Sequence, residues 1–510
     1  MGSFAPVKPF TVALRLIPCM LKPIDKERWN FTTAAHLLNR AGFGGTPAEI
    51  EHLASLGPQQ AVLSLVEFDK NPDSTANPEW AEPDPTRAER YMEMRNADAE
   101  KKRQFQQEEQ KKQRQRIVEL KYWWLQRMAK GPSPLQEKMT LFWHGHFATS
   151  AEKVRDAYLM WKQNELFRQH ATGNWLQLLV AVAKDPAMMV WLDQAQSRKE
   201  HPNENFAREV MELFTLGEGH YTEKDVTEAA RALTGWTYDR INQEFVERPR
   251  LHDTGEKTFL GHTGPLRPEQ VLDTIVAQPQ AARFITAKIW NFFAGENPSE
   301  DLITALADLF RRSGGEFKPL LVAMFNSEEF YADSIIRNQV KSPVQWLVGS
   351  VRVLERELPP PIVCFGLTRN LGQDLFAPPN VKGWDGGISW ITTNNLLSRY
   401  NEAALLAQGD VSMLKGMNLA PNPAGNMQLQ NRLDSMRLRP VNVSKILTEE
   451  ERKDKEKLVA ALEKRLLQSK LRGKQEQTLR EYLDAQTTLD DTSILNAIRL
   501  MMSTPEYQLT

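Results

Sequence analysis

Two histidines separated by one residue can chelate a single metal ion, provided the backbone between them is extended. Trp143-His144-Gly145-His146-Phe147 offers that spacing. In a strand both imidazoles share one face and the aromatics the other. On a helix the same two rings point about 200° apart and chelation fails. Gly145 keeps the extended form open, and His144 and His146 are the candidate ligands of a divalent metal. The competing reading makes them capping groups that wedge a core.

Three further segments carry candidate chemistry. In Asn203 to Gly217, a helical step of about 100° places Phe206, Val210 and Leu213 on one stripe. Asn205, Glu209 and Glu212 fall on the adjacent stripe. Two carboxylates one turn apart beside a core repel unless a proton, a metal or an arginine intervenes. Arg208, four residues before Glu212, supplies an ordinary salt bridge to at least one of them. Arg231 sits one turn before a helix end, where it can bind an anion or pair with Glu209 or Glu212; the second use is preferred. Thr222 and Asp225 form a capping box that starts this helix. In Leu251 to Gly261, His252, Asp253 and Lys257 surround a glycine turn. A His–Asp pair supplies an oriented base, and a lysine holds a phosphate, sulfate or carboxylate. Adjacent strand residues point oppositely, so His252 and Asp253 are expected to serve different faces. The candidate catalytic set is therefore Glu209, Glu212, His252 and Asp253, with Arg231, Lys257 and Trp384 on the substrate.

Several familiar signatures are missing. The sequence has no phosphate loop, no Gly-x-Gly-x-x-Gly after a strand, no Gly-x-Ser-x-Gly elbow and no His-Glu-x-x-His. Glu209 and Glu212 also lack the Glu-x-x-His pattern of a di-iron bundle.

The elements that must position these residues are helices. Hydrophobic residues at 41% and charged residues at 25% are a globular composition. With 64 Lys+Arg against 65 Asp+Glu, binding nucleic acid through bulk positive charge is disfavoured. Two cysteines, Cys19 and Cys364, exclude a disulfide framework and a cysteine-based zinc module. The 510 residues allow roughly two to four domains at ~150 residues each. Helical periodicity nevertheless predicts a mainly α protein: one large multi-helix domain with a small β-hairpin insertion and protruding charged helical arms. The expected divisions are an N-terminal extension over 1–30 and a helical body over 31–445 that carries the hairpin at about 236–261. A charged arm over 446–486 and a C-terminal helix over 487–510 that returns to the body complete it. The hairpin is read from Glu244-Phe245-Val246 and Lys257-Thr258-Phe259-Leu260, the arms from the runs 86–130 and 448–486. Arg15 splits the best apolar stretch near the start, Phe10 to Leu21, so no clear signal peptide is read. No segment reaches the ~20 apolar residues that span a bilayer. A soluble chain is expected, its compartment open.

Ala35-His36-Leu37-Leu38-Asn39-Arg40-Ala41-Gly42-Phe43-Gly44, Phe142 to Phe147, Asp185 to Met188 and Asn203 to Gly217 together resemble the bacterial DUF1800 family. Ala230 to Trp236, His252 to Gly261 and Pro378-Pro379-Asn380-Val381-Lys382-Gly383-Trp384 extend the resemblance over nearly the whole chain. The family has no established reaction. The resemblance implies a partner similar to the DUF1501 proteins, which look like sulfatases and alkaline phosphatases, and it implies export. Relatives carry His at the position of Phe214, so a metal ligand at that place would be missing here.

Two functions follow as expectations. One is a hydrolase acting on an anionic or carbohydrate-type substrate, with a metal-activated water or a carboxylate base. The alternative is a non-catalytic helical scaffold that works with a partner protein through its charged helices. A third reading places carbohydrate binding on the Trp384 to Trp390 loop.

Overall fold

The computed structural model describes residues 21–414, 427 and 438–510. The N-terminal stretch read for targeting signals lies almost wholly outside the described residues, as does Cys19. The fold is mainly α, and among the described residues its two sheets are two-stranded antiparallel hairpins. By spatial clustering the described chain forms two compact units. One comprises 21–28, Pro58–Glu67 and Gln163–Ile335; the other comprises Trp29–Gly57, Phe68–Lys162 and the described part of Ile336–Thr510.

In the first unit, the Glu300–Arg312 helix shows how sequence fixes the packing. Ser299 caps it by accepting from the Leu302 N–H, and acidic Glu300 and Asp301 face the positive end of its dipole. Ile303, Leu306, Ala307 and Phe310 recur at helical spacing and are buried, each large apolar side chain contributing roughly 1.5–3 kcal/mol. This face lies against the Pro279–Phe293 helix, and Phe317–Asn326 packs on Pro58–Val66.

The expected single hairpin is two. Trp236–Asp239 pairs with Glu244–Glu247, and Lys257–Phe259 pairs with His262–Gly264. Leu260 and Gly261 both have positive φ, 44° and 84°, and form the two-residue turn that closes the second hairpin. The two runs read as partners therefore each pair locally, because loops of four and two residues close with less loss of chain entropy than a long one.

In the second unit, Asp98 caps the Ala99–Lys130 helix by accepting from the Lys101 N–H. That cap breaks the expected 86–130 run into Arg87–Asn96 and Ala99–Lys130. Its early turns are mostly solvent-facing, whereas Leu120, Trp124 and Met128, four residues apart, are buried. There it packs on Pro343–Val353 and Pro361–Asn370. The 448–486 segment turns at Gln468, φ 53°, before a new helix starts at Gly473. Leu458, Leu462, Leu466, Leu467 and Leu471 are all buried, so the leucine row packs within its unit, and Glu463 is buried with it, accepting the Leu471 N–H at 2.8 Å. No helix among the described residues is long and apolar enough to cross a membrane.

Candidate functional site

His144 and His146 stand at the end of the Pro134–His146 helix, so the extended form that chelation requires is not present. Two residues at about 100° each separate the rings by about 200°. His144 Nε2 accepts the Phe376 N–H at 3.0 Å, which puts the ring proton on Nδ1. Its ring meets Trp124 edge-on at 5.1 Å and Phe376 at 4.8 Å, with Trp384 tilted at 5.6 Å. Burial, then the Lys121 ammonium, lowers its pKa to about 3, so the imidazole is neutral. Lys121 itself pairs with Asp374, which also takes Arg369 at 2.8 Å. His146 is buried among Phe142, Trp143 and Phe147, stacking on Phe142 at 5.8 Å.

The loop that supplies Trp384 reaches this helix end through glycine. Gly383 has φ 88°, and a Cβ there would come within 2.4 Å of the Gly145 carbonyl oxygen. Phe376, also at positive φ, donates its N–H to His144 Nε2, and its carbonyl accepts the Ala151 N–H at 2.8 Å. His144 thus holds a strained backbone in place.

Arg231, Asp253 and Lys257 do come together. Arg231 Nε donates to Asp253 Oδ2 at 2.8 Å, and its Nη1 donates to both Glu228 oxygens at 3.0 and 3.1 Å. Its partners are thus Asp253 and Glu228, in place of the expected Glu209 or Glu212. Glu228 lies three residues back on the same helix, which a helical wheel contains; Asp253 arrives through the tertiary fold. Lys257 is buried and donates to the Asp253 and Gly255 carbonyls. A Cβ on Gly255 would stand 3.0 Å from both Arg231 Nη2 and Asp253 Oδ1, so the glycine makes room for the pair. Carboxylates of the Glu223–Ala232 helix extend the lock: Glu228 takes the Thr258 N–H and Asp225 the Leu260 N–H. His252 turns elsewhere, its Nδ1 2.9 Å from the Thr234 carbonyl. A carbonyl only accepts, so Nδ1 carries a proton and is the donor.

Glu209 closes a short α-helix, Glu204–Glu209, and Glu212 lies in the π-helical stretch Val210–Thr215 that follows. The π geometry widens the turn, so four-residue spacing no longer aligns side chains. Arg208 accordingly does not meet Glu212. It forms a two-pronged pair with Glu223, both contacts at 2.7 Å. Asn205 donates to the Leu192 carbonyl. Glu212 accepts the Tyr221 hydroxyl at 2.8 Å, which, after burial, pushes the Tyr221 pKa up to about 12. Half-burial, then the neighbouring Glu212 charge, raises the Glu209 carboxyl above its ordinary range. Among the described residues neither carboxylate has an ion-pair partner, and no hydrogen bond joins them to Arg231, Asp253 or Lys257.

Tyr221 and Glu228 are the partners of Glu212 and Arg231 that the sequence patterns did not supply. Among the described residues no cluster of three or more His, Cys, Asp or Glu side chains could hold a metal ion.

The fold and these clusters define a large, mainly helical protein with a lone carboxyl pair. Residues 36–509 match the family described as protein of unknown function (DUF1800), and the chain belongs to that family. No curated protein and no solved structure matches it.

Proposed function

We propose that the chain is a hydrolase in which Glu209 and Glu212 form the acid–base pair. The observation that carries this reading is the raised Glu209 carboxyl beside a second carboxylate bound by Tyr221, on a π-helical turn without a cation paired to either. π-turns inside helices recur at functional sites, and unlike environments for two carboxyls separate acid from base. Glu209 keeps its proton longer and donates it to the leaving group. Glu212, oriented by the Tyr221 hydroxyl, draws a proton from the attacking water. His252 Nε2 is a further base candidate. Arg231 and Lys257 are already saturated by protein acceptors, which favours a neutral, carbohydrate-type substrate over an anionic one.

Hydrolysis of a panel of 4-nitrophenyl glycosides, esters, phosphates and sulfates tests this, with Glu209→Gln and Glu212→Gln beside the native chain. Turnover of a glycoside, lost by about 10²-fold or more in each variant at unchanged melting temperature, is the expected result. Absence of turnover across the panel, with both variants melting well below the native chain, would overturn it.

A second reading is favoured by one observation, the closed Arg231–Asp253–Glu228–Lys257 lock, whose groups are spent on one another. There the chain is a scaffold, and its partner is a DUF1501-like protein. Co-purification of the two, undisturbed by Glu209→Gln, separates this from the hydrolase.

A further inference from the structure

The Pro-rich segment 71–86 lies along the Ala99–Lys130 helix and leaves a groove of about 420 Å³. Val118, Tyr122 and Gln126 recur every four residues on the helix and line it, with Glu119 and Trp123 on the next row. Trp80 and Glu79 close the opposite side. Val118 is 42% exposed, an apolar side chain left open on a helix that is otherwise charged at its surface.

The two indoles are fixed before any ligand arrives. Trp80 Nε1 donates to Glu119 Oε2 at 2.7 Å, and the Arg116 guanidinium lies 5.6 Å from its ring centre. Trp123 Nε1 donates to the Ala76 carbonyl at 2.9 Å, with Arg127 lying 5.1 Å from its ring centre. Arg127 is itself held by Glu137 at 3.2 Å and Asp73 at 3.3 Å. Three polar groups remain uncommitted among the described residues: the Tyr122 hydroxyl, the Gln126 amide and the Glu79 carboxylate. Glu119 already accepts from Trp80 and from Gln115 at 3.0 Å.

This chemistry selects its ligand. Two carboxylates at the rim repel phosphate, sulfate and carboxylate. Arginines already occupy one side of each indole, so the rings' attraction for a further cation is partly spent. What remains is flat aromatic surface, neutral donors, and acceptors for hydroxyl groups. A pyranose ring matches all three: an apolar C–H face for the Trp80 indole and hydroxyls for Glu79, Tyr122 and Gln126. The volume lies at the small-ligand end of binding cavities, the scale of one or two sugar rings. We propose that this groove is a binding subsite for neutral saccharides, with Trp80 and Tyr122 as its principal contacts. It stands on different residues from the Glu209–Glu212 pair and is read by binding alone, so either can fail without the other.

The test uses the full chain on a printed array of neutral mono- to tetrasaccharides. Calorimetric titration with the best binder follows, with tetramethylammonium chloride and inorganic phosphate as the cation and anion arms. Saccharide binding is expected, weakened about tenfold by Trp80→Ala and several-fold by Tyr122→Phe and Glu79→Gln. Melting temperatures of Tyr122→Phe and Glu79→Gln should match the native chain, which separates lost contact from lost fold. No neutral glycan bound, binding indifferent to all three substitutions, or preferential binding of tetramethylammonium would overturn the proposal.

Discussion

Replacing His144 by Gln should remove a specific part of the protein's acid sensitivity. The native imidazole is buried, accepts the Phe376 N–H through Nε2, and has its pKa lowered to about 3 by burial and by Lys121. In the unfolded chain a histidine titrates near 6.5. A proton therefore binds the unfolded state more tightly, so this contribution is complete above about pH 6.5 and is lost as pH falls. Between pH 6.5 and 5.0 the loss is about 1.5 × 1.36, or ~2 kcal/mol. By pH 3 it would approach ~5 kcal/mol. Glutamine places an amide oxygen near the Nε2 position and cannot titrate, so His144→Gln keeps an acceptor for Phe376 and lacks the pH term. Urea denaturation of both proteins at pH 7.5, 6.0 and 5.0 measures the difference, because every other group titrates alike in both. The native chain should lose ~2 kcal/mol more than the variant over this range. Parallel stability curves would refute the reasoning, since they would mean His144 is free to take a proton in the folded state.

Three further substitutions probe buried and half-buried charges. Asp253→Asn should cost ~1–3 kcal/mol in chemical denaturation and speed amide exchange in the second hairpin, because it strips Arg231 of one carboxylate. Glu137→Ala should cost ~3–5 kcal/mol, since Glu137 is buried, accepts Trp124 Nε1 at 2.8 Å and pairs with Arg127. Glu402→Leu should be neutral or stabilising at pH 7, measured by thermal melting: Glu402 is fully buried and neither oxygen has a hydrogen-bond partner among the described residues. Burial raises the Glu402 carboxyl well above its ordinary range, so the leucine's advantage should grow as pH rises above about 4.5.

The fold was legible wherever local rules decide. The Thr222–Asp225 capping box starts a helix as its spacing requires, and the leucines of 448–486 are buried at helical intervals. Pairings were legible only where the helix kept its ordinary phase. Arg208 and Glu212 are four apart, yet a π-helical stretch intervenes from Val210, closed by the Thr215 hydroxyl on the Val210 carbonyl, and turns them from each other. Nothing in residue types announces that widened turn, because it depends on which backbone hydrogen bonds the packed neighbours permit. Phe376 is similar: positive φ is unusual for a side chain with a Cβ, and only the tertiary bond from its N–H to His144 reveals why it is there.

Residues with the chemistry of an active site are also the residues that hold irregular chain together. A loop in an unfavourable conformation needs charged or hydrogen-bonding groups to keep it, and those are the groups that catalysts use. Counting partners separates the two roles. Lys257 spends its ammonium on two carbonyls, Arg231 its guanidinium on two carboxylates, and His144 its lone pair on an amide. Each therefore has little left for a substrate. Glu209 has no such partner and bears the cost of a half-buried carboxyl beside Glu212. A fold gains nothing from that arrangement, and it is this unbalanced pair, rather than the richer clusters around it, on which the proposed acid–base roles of Glu209 and Glu212 rest.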